Sequence, residues 1–162
     1  MPRIGILTVS DRSYRGERED LSGPAIREAL LEQLEGAQVE LEAVVPDEFD
    51  VIRGTLLVWA DEVGLDLILT TGGTGFAPRD VTPEATRAVI RREASGLAEA
   101  MRAASLRATP HAMLSRAVAG IRGRTLIINL PGSPKAVRQN LAVILPALPH
   151  ALALLRGETP DG

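Results

Sequence analysis

The chain has 162 residues, 45% hydrophobic and 24% charged, which fits one compact globular domain with a sizeable core. Its net charge of −3 excludes a broadly basic surface for nucleic acid or an anionic membrane, so an anionic ligand would need a local site. The absence of cysteine excludes disulfides, thiol catalysis and thiolate metal centres, and neither His111 nor His150 has a partner at metal-ligand spacing, which leaves open a hard cation held by carboxylates.

Arg3 to Ser10 is mostly apolar and predicts a buried first strand that leads to Ser10-Asp11-Arg12. The polar, aperiodic run Ser13 to Asp20 predicts an exposed loop carrying Tyr14. A helix is expected from Ser22-Gly23-Pro24, with Ile26, Ala29, Leu30 and Leu34 on one face and Gly36 as its stop. Gln38 to Val45 alternates in polarity and predicts a second strand. Pro46 to Asp50 then opens a helix whose inner face includes Ile52, Leu56 and Trp59 and which ends at Gly64.

Leu67 to Arg92 is the centre of the chain. The β-branched, apolar run Leu67-Ile68-Leu69-Thr70-Thr71 predicts a buried strand, and Gly72-Gly73-Thr74-Gly75 follows it directly. Phe76 to Val81 leads to Thr82-Pro83-Glu84, a helix start with Thr82 as the expected N-cap. Strand, Gly-rich loop and helix in that order present unpaired N–H groups and a positive helix end to an anion; a tight turn needing positive φ is the simpler alternative. The Thr70, Thr71 and Thr74 hydroxyls, with Arg79 and Asp80, favour the anion site.

The helix from Pro83 is expected to reach about Arg92, with a second from Leu97 to Leu106 and a loop at Thr109-Pro110-His111. Ala117 to Ile121 and Thr125 to Asn129 flank Arg122-Gly123-Arg124 and predict a β-hairpin. Pro131-Gly132-Ser133-Pro134-Lys135 repeats the strand, turn and helix-start pattern, with Ser133 as N-cap. The last helix bends near Pro146 and Pro149 and ends at Gly157; the run Leu141 to Leu155 falls short of a membrane span. The alternation predicts a three-layer α/β/α fold with a largely parallel sheet plus one antiparallel hairpin strand. A single domain is expected over residues 1–157, with a loose tail at 158–162, and with no signal-peptide layout the expected location is cytoplasmic.

Asp47 and Asp80 each follow a strand and open a helix. Asp47 also reads as an N-cap, whereas Thr82 already fills that place near Asp80. Two carboxylates facing one cleft would call for a cation between them, and Mg²⁺ is the natural one beside a nucleotide phosphate. Lys135 is the sole lysine, the other 17 of 18 basic residues being arginine, and it reads either as a point charge for a phosphate or as a solvated side chain. Trp59 reads as core, and aromatic content of 2% argues against recognition by stacking. There is no Walker loop, no G-x-G-x-x-G after a strand and no Ser-His-Asp pattern.

Thr70 to Gly75 and Arg79-Asp80-Val81-Thr82-Pro83-Glu84-Ala85-Thr86 closely resemble the signature of the MoaB/Mog molybdenum-cofactor biosynthesis family. The similarity extends to Gly5 to Arg12, Asp20 to Pro24, Val45 to Glu48, Leu114-Ser115-Arg116 and Asn129 to Lys135, which spans nearly the whole chain. Leu130 to Lys135 looks more like the molybdopterin adenylyltransferase branch than its sister branch. The resemblance implies a homotrimer that binds molybdopterin and Mg-ATP and transfers AMP to the terminal phosphate of molybdopterin, releasing pyrophosphate. A non-catalytic molybdopterin-binding module of the same fold is the alternative, and the molybdenum-insertion branch is expected in longer chains. Asp47 and Asp80 match the family's two essential aspartates and are the expected catalytic and metal-holding residues. Thr71, Gly72, Gly73, Thr74, Gly75, Ser10, Asp11, Asp20, Gly23, Pro131, Gly132, Ser133 and Lys135 are the expected substrate- and nucleotide-binding residues.

Overall fold

The computed structural model describes residues 1–158, and the expected tail lies outside the described residues except for Glu158. The strands are β1 (Arg3–Val9), β2 (Gln38–Val45), β3 (Leu67–Thr71), β4 (Arg92–Glu93), β5 (Ala119–Arg122) and β6 (Thr125–Leu130). The helices are α1 (Asp11–Tyr14), α2 (Ser22–Gln33), α3 (Phe49–Leu57), α4 (Thr82–Val89), α5 (Ser95–Leu106), α6 (Pro134–Ile144) and α7 (Leu148–Leu155). One sheet runs β2-β1-β3-β6-β5-β4; its first four strands are mutually parallel, and β5 is antiparallel to β6. The three-layer architecture expected from the sequence is present. Among the described residues no helix is long and apolar enough to cross a membrane.

Alternation along the central strands divides the core between two faces. Leu67, Leu69, Leu126, Ile128 and Leu130 pack with α2, α6 and α7 residues such as Ile26, Leu30, Val137, Leu141 and Leu148. Ile68 and Ile127 face the other way, toward Ile52, Leu56, Ala85 and Val89 of α3 and α4. The same period leaves Thr70 and Asn129 on the α4 face. There the fully buried Asn129 amide donates to Thr70 Oγ1 and Thr86 Oγ1, each at 2.9 Å, and its oxygen accepts from the Val118 N–H at 3.0 Å. This satisfied polar knot ties β3, β6 and α4 together directly beneath the Gly-rich loop.

Several local expectations are corrected. The loop after β1 begins with one helical turn, because the Ser10 hydroxyl caps it by accepting the Ser13 N–H. The helix from Phe49 widens at Val58–Val63 into π turns before Gly64, at φ 74°, ends it. Those turns carry Trp59, which lies against Gly5; a Cβ there would fall 2.7 Å from the indole. Thr82 does not cap α4. The N-cap is Val81, and the Thr82 hydroxyl donates instead to the Gly72 carbonyl at 3.0 Å. α4 stops at Val89, short of Arg92, because residues 92–93 form β4 against β5 and give the sheet a second antiparallel pairing. The expected loop at Thr109 is a 3₁₀ turn, Pro110–Leu114, capped by the Thr109 side chain. Glu158 is held to the end of α7 through the Ala153 carbonyl and Arg156 rather than hanging loose.

Candidate functional site

The strand order places a topological switch between β1 and β3. The chain leaves β1 toward α2 on one face and leaves β3 toward α4 on the other, so their loops part and open a crevice at the carboxyl edge of the sheet. A cleft of about 400 Å³ occupies that position. Of the residues expected from the sequence, Ser10, Asp11, Asp20, Asp47, Thr71, Gly72, Gly73, Asp80, Gly132 and Ser133 line it.

The cleft's floor is built by close backbone approach. Gly72 has φ 94°, its N–H donates to the Leu130 carbonyl, and a Cβ on it would collide with the Val9 carbonyl. Gly73, at φ 68°, lies between Thr82 and Asp47; its carbonyl accepts the Thr82 N–H at 3.1 Å, and a Cβ would lie 3.1 Å from Asp47 Oδ1. Among the described residues, the N–H groups of Gly73, Thr74 and Gly75 donate to no protein acceptor, and Gly73, which lines the cleft, leaves its N–H available to an anion there. The second loop is fastened across the crevice: the Thr71 hydroxyl donates to the Pro131 carbonyl and the Ser22 hydroxyl to the Gly132 carbonyl, both at 2.6 Å. Ser133 caps α6 as expected, accepting the Ala136 N–H.

Asp47 is not an N-cap. Glu48 holds that position, while Asp47 and Asp11 exchange hydrogen bonds: Asp47 Oδ2 accepts the Asp11 N–H at 2.8 Å, and Asp11 Oδ1 accepts the Asp47 N–H at 2.9 Å. Burial pushes the Asp47 carboxyl above its ordinary pKa, and the nearby Asp11 and Asp80 charges act in the same direction. Asp11 moves the other way, because Arg79 donates to both its oxygens at 2.8 and 3.0 Å. The two shifts have opposite consequences for stability. Asp11 stabilises the fold above the unfolded carboxyl range and loses that contribution as pH falls through its lowered value. The Asp47 contribution is complete below the unfolded value and is lost as pH rises through its raised one. Asp80 faces the cleft from the loop, with Oδ2 accepting the Ala77 N–H at 3.0 Å.

Asp20 lines the cleft with its carboxylate already engaged, and other expected residues lie elsewhere. Both Asp20 oxygens are engaged, one by the Thr8 hydroxyl at 2.9 Å and one by the Gly23 N–H at 3.0 Å, and Gly23 sits behind it in α2. Thr74 is buried and outside the cleft wall. Lys135 is exposed on the first turn of α6 and is not part of the wall either. Gly75 and Pro131 instead line a second cavity of about 280 Å³, with Met101, Ser105, Leu114, Ser115 and Asn140 among its other residues. Sequence reasoning missed Arg12, on α1, and Arg18, in the loop after it, which line the first cleft and have no ion-pair partner among the described residues. Arg18 fell in the stretch read as an exposed loop, and Arg12 was visible only as the residue after Ser10-Asp11 at the end of the first strand.

The model of the "Probable molybdopterin binding domain" family matches residues 5–150. The molybdopterin adenylyltransferase of Helicobacter pylori (strain J99) is 48% identical over 154 residues, covering 95% of this chain and 88% of that protein. Gephyrin of Dictyostelium discoideum is 49% identical over 163 residues, and the chain spans only 23% of that longer protein. The crystal structure of the molybdopterin biosynthesis enzyme MoaB from Thermus thermophilus superposes with a TM-score of 0.90 at 58% identity, covering 99% of this chain and all of that one.

Proposed function

The chain belongs to the family of molybdopterin-binding domains, and on that premise we propose that it is a molybdopterin adenylyltransferase of molybdenum cofactor biosynthesis. It transfers AMP from ATP to the terminal phosphate of molybdopterin. A phosphate oxygen of the pterin forms the new bond to the α-phosphorus as the bond from that phosphorus to the departing pyrophosphate breaks. No protein nucleophile is required, so the chain's part is positioning and charge stabilisation. The observation that carries this reading is the meeting of the unpaired Gly73 N–H with the Asp47 and Asp80 carboxylates in the cleft at the switch point.

The triphosphate lies along the Gly-rich loop, with Arg12 and Arg18 offsetting its charge. The second cavity, apolar and carrying Arg102, Ser105 and Asn140, suits the flat, hydrogen-bonding pterin; it meets the first where Gly75 and Pro131 belong to the two loops. The reaction implies Mg²⁺. Among the described residues no group of three or more His, Asp or Glu side chains could hold an ion by itself. That donor set fits a Mg²⁺ shared with substrate, because this ion commonly takes one or two carboxylates and completes its shell with phosphate oxygens and water. Asp47 and Asp80 would hold it, and it would supply charge neutralisation at the leaving pyrophosphate. The direct test is incubation with molybdopterin, ATP and Mg²⁺. Pyrophosphate release that requires both substrates supports the reading, and pyrophosphate release without the pterin contradicts it.

Lys135 serves the pterin phosphate as a point charge. Lys135→Ala is expected to weaken molybdopterin binding by roughly tenfold or more, the loss of one charge-assisted hydrogen bond, with little change in melting temperature. Affinity within about twofold of the unaltered chain would assign Lys135 to solvent. The protein works as a homotrimer in the cytoplasm. The exposed apolar side chains Phe76, Leu106, Met113 and Leu114 support burial between subunits. Sedimentation at micromolar concentration should give three times the 17.2 kDa chain mass, and a monomer would contradict this.

A further inference from the structure

Arg116 follows the 3₁₀ turn Pro110–Leu114 after a single residue, Ser115, and runs back under the Gly-rich loop. Its N–H donates to the Thr74 carbonyl at 2.8 Å, and its guanidinium uses all three nitrogens. Nε donates to the Gly75 carbonyl at 2.8 Å and an Nη to the Asp80 carbonyl at 2.8 Å; the other Nη pairs with Glu84 on the first turn of α4 at 2.5 Å. One side chain thus grips both ends of the segment from Gly75 to Asp80 and anchors it to a helix. Inside that segment Asp80 closes a turn on Ala77: its N–H donates to the Ala77 carbonyl at 2.9 Å, and Oδ2 accepts the Ala77 N–H at 3.0 Å. Gly75 packs beneath the same oxygen, where a Cβ would come within 3.0 Å.

We propose that Arg116 is a positioning residue: its planar fork sets where the Asp80 carboxylate stands in the cleft. The proposal rests on the adenylyl-transfer reading only in giving Asp80 a task. Two carbonyls and a carboxylate lying in three directions match the fixed donors of a guanidinium and exceed what one ammonium can bridge, so lysine is no substitute despite its charge. Ser115, the preceding residue, lines the second cavity, so the same short stretch borders one cavity and, through Asp80, holds a residue of the other.

The test is a double-mutant cycle of Arg116→Lys with Asp80→Asn, read by turnover and by amide hydrogen exchange of the loop, with melting temperatures in parallel. Arg116→Lys alone is expected to lower kcat by roughly tenfold or more, about the loss expected from one charge-assisted hydrogen bond, with the KM for ATP little changed. Added to Asp80→Asn it should cost no more than about twofold further, because the group it positions has already lost its charge. Exchange at the Ala77 and Asp80 amides should rise by about tenfold or more, while Ile68 and Leu69 in β3 stay protected. Independent, multiplicative losses in the cycle would overturn the proposal, as would unchanged exchange at Ala77 and Asp80. If the unaltered protein makes no adenylylated pterin, the functional reading fails by itself, and the exchange result still decides whether Arg116 holds Asp80.

Discussion

Asp47→Asn and Asp80→Asn are each expected to lower adenylyl transfer by roughly 10²-fold or more while leaving the protein folded. Both replacements keep the size of the side chain and an acceptor oxygen. Asn at 47 can still take the Asp11 N–H, and Asn at 80 can still take the Ala77 N–H, so what changes is charge. For Asp47 the stability result has a definite sign. Its carboxyl is raised by burial and by the Asp11 and Asp80 charges, so at neutral pH the folded state bears the cost of an ionised, partly desolvated group. Asp47→Asn removes that cost and should melt at or above the temperature of the unaltered chain at pH 7. Its advantage should shrink as pH falls below the raised pKa, where Asp47 is protonated anyway. Near-normal turnover in either variant would remove that carboxylate from the mechanism. Lost turnover together with a large drop in melting temperature at pH 7 would assign it to structure.

Gly72→Ala is expected to be the most damaging single methyl in the site. The position combines φ 94° with a carbonyl, that of Val9, in the space a Cβ would occupy. Relief requires β1 and β3 to part where they are hydrogen-bonded neighbours. Strain and overpacking together should cost about 3 kcal/mol or more, a fall in melting temperature of roughly 6–12 °C for a chain of this size. Gly123→Ala isolates the backbone contribution, because Gly123 also has positive φ, at 59°, but no atom lies within 4 Å of its Cβ position. That variant should lose only about 1–2 kcal/mol. Equal losses at the two positions would show that φ alone, and no close approach of the strands, requires glycine in the loop.

The strands and most helices were legible because their signals are local: β-branched runs, helical spacing of apolar residues, and Gly or Pro at the boundaries. Gly72 to Gly75 and Pro131 to Lys135 announced two anion-friendly turns for the same reason. What the sequence could not show was which partner each polar group would choose across the fold. Thr82 stands where an N-cap belongs, yet its hydroxyl turns to the Gly72 carbonyl because the loop folds back onto α4. Asp47 has the sequence context of a cap, yet the loop after β1 offers the Asp11 N–H, 36 positions away. Arg116 read as one member of a motif, and its three acceptors became visible only once Gly75, Asp80 and Glu84 were brought together. The widening of α3 into π turns left no trace in spacing, since Trp59 fits a core position in either geometry.

The most direct measurement is the fate of labelled phosphorus. With molybdopterin, Mg²⁺ and ATP labelled at the α-phosphorus, adenylyl transfer requires that label appear in the pterin product in equal amount with released pyrophosphate. ATP labelled at the γ-phosphorus should place its label only in the pyrophosphate. Label from the γ-position in the pterin would make the chain a kinase of its ligand, and no label in the pterin from either position would reduce it to a binding module; either result contradicts adenylyl transfer.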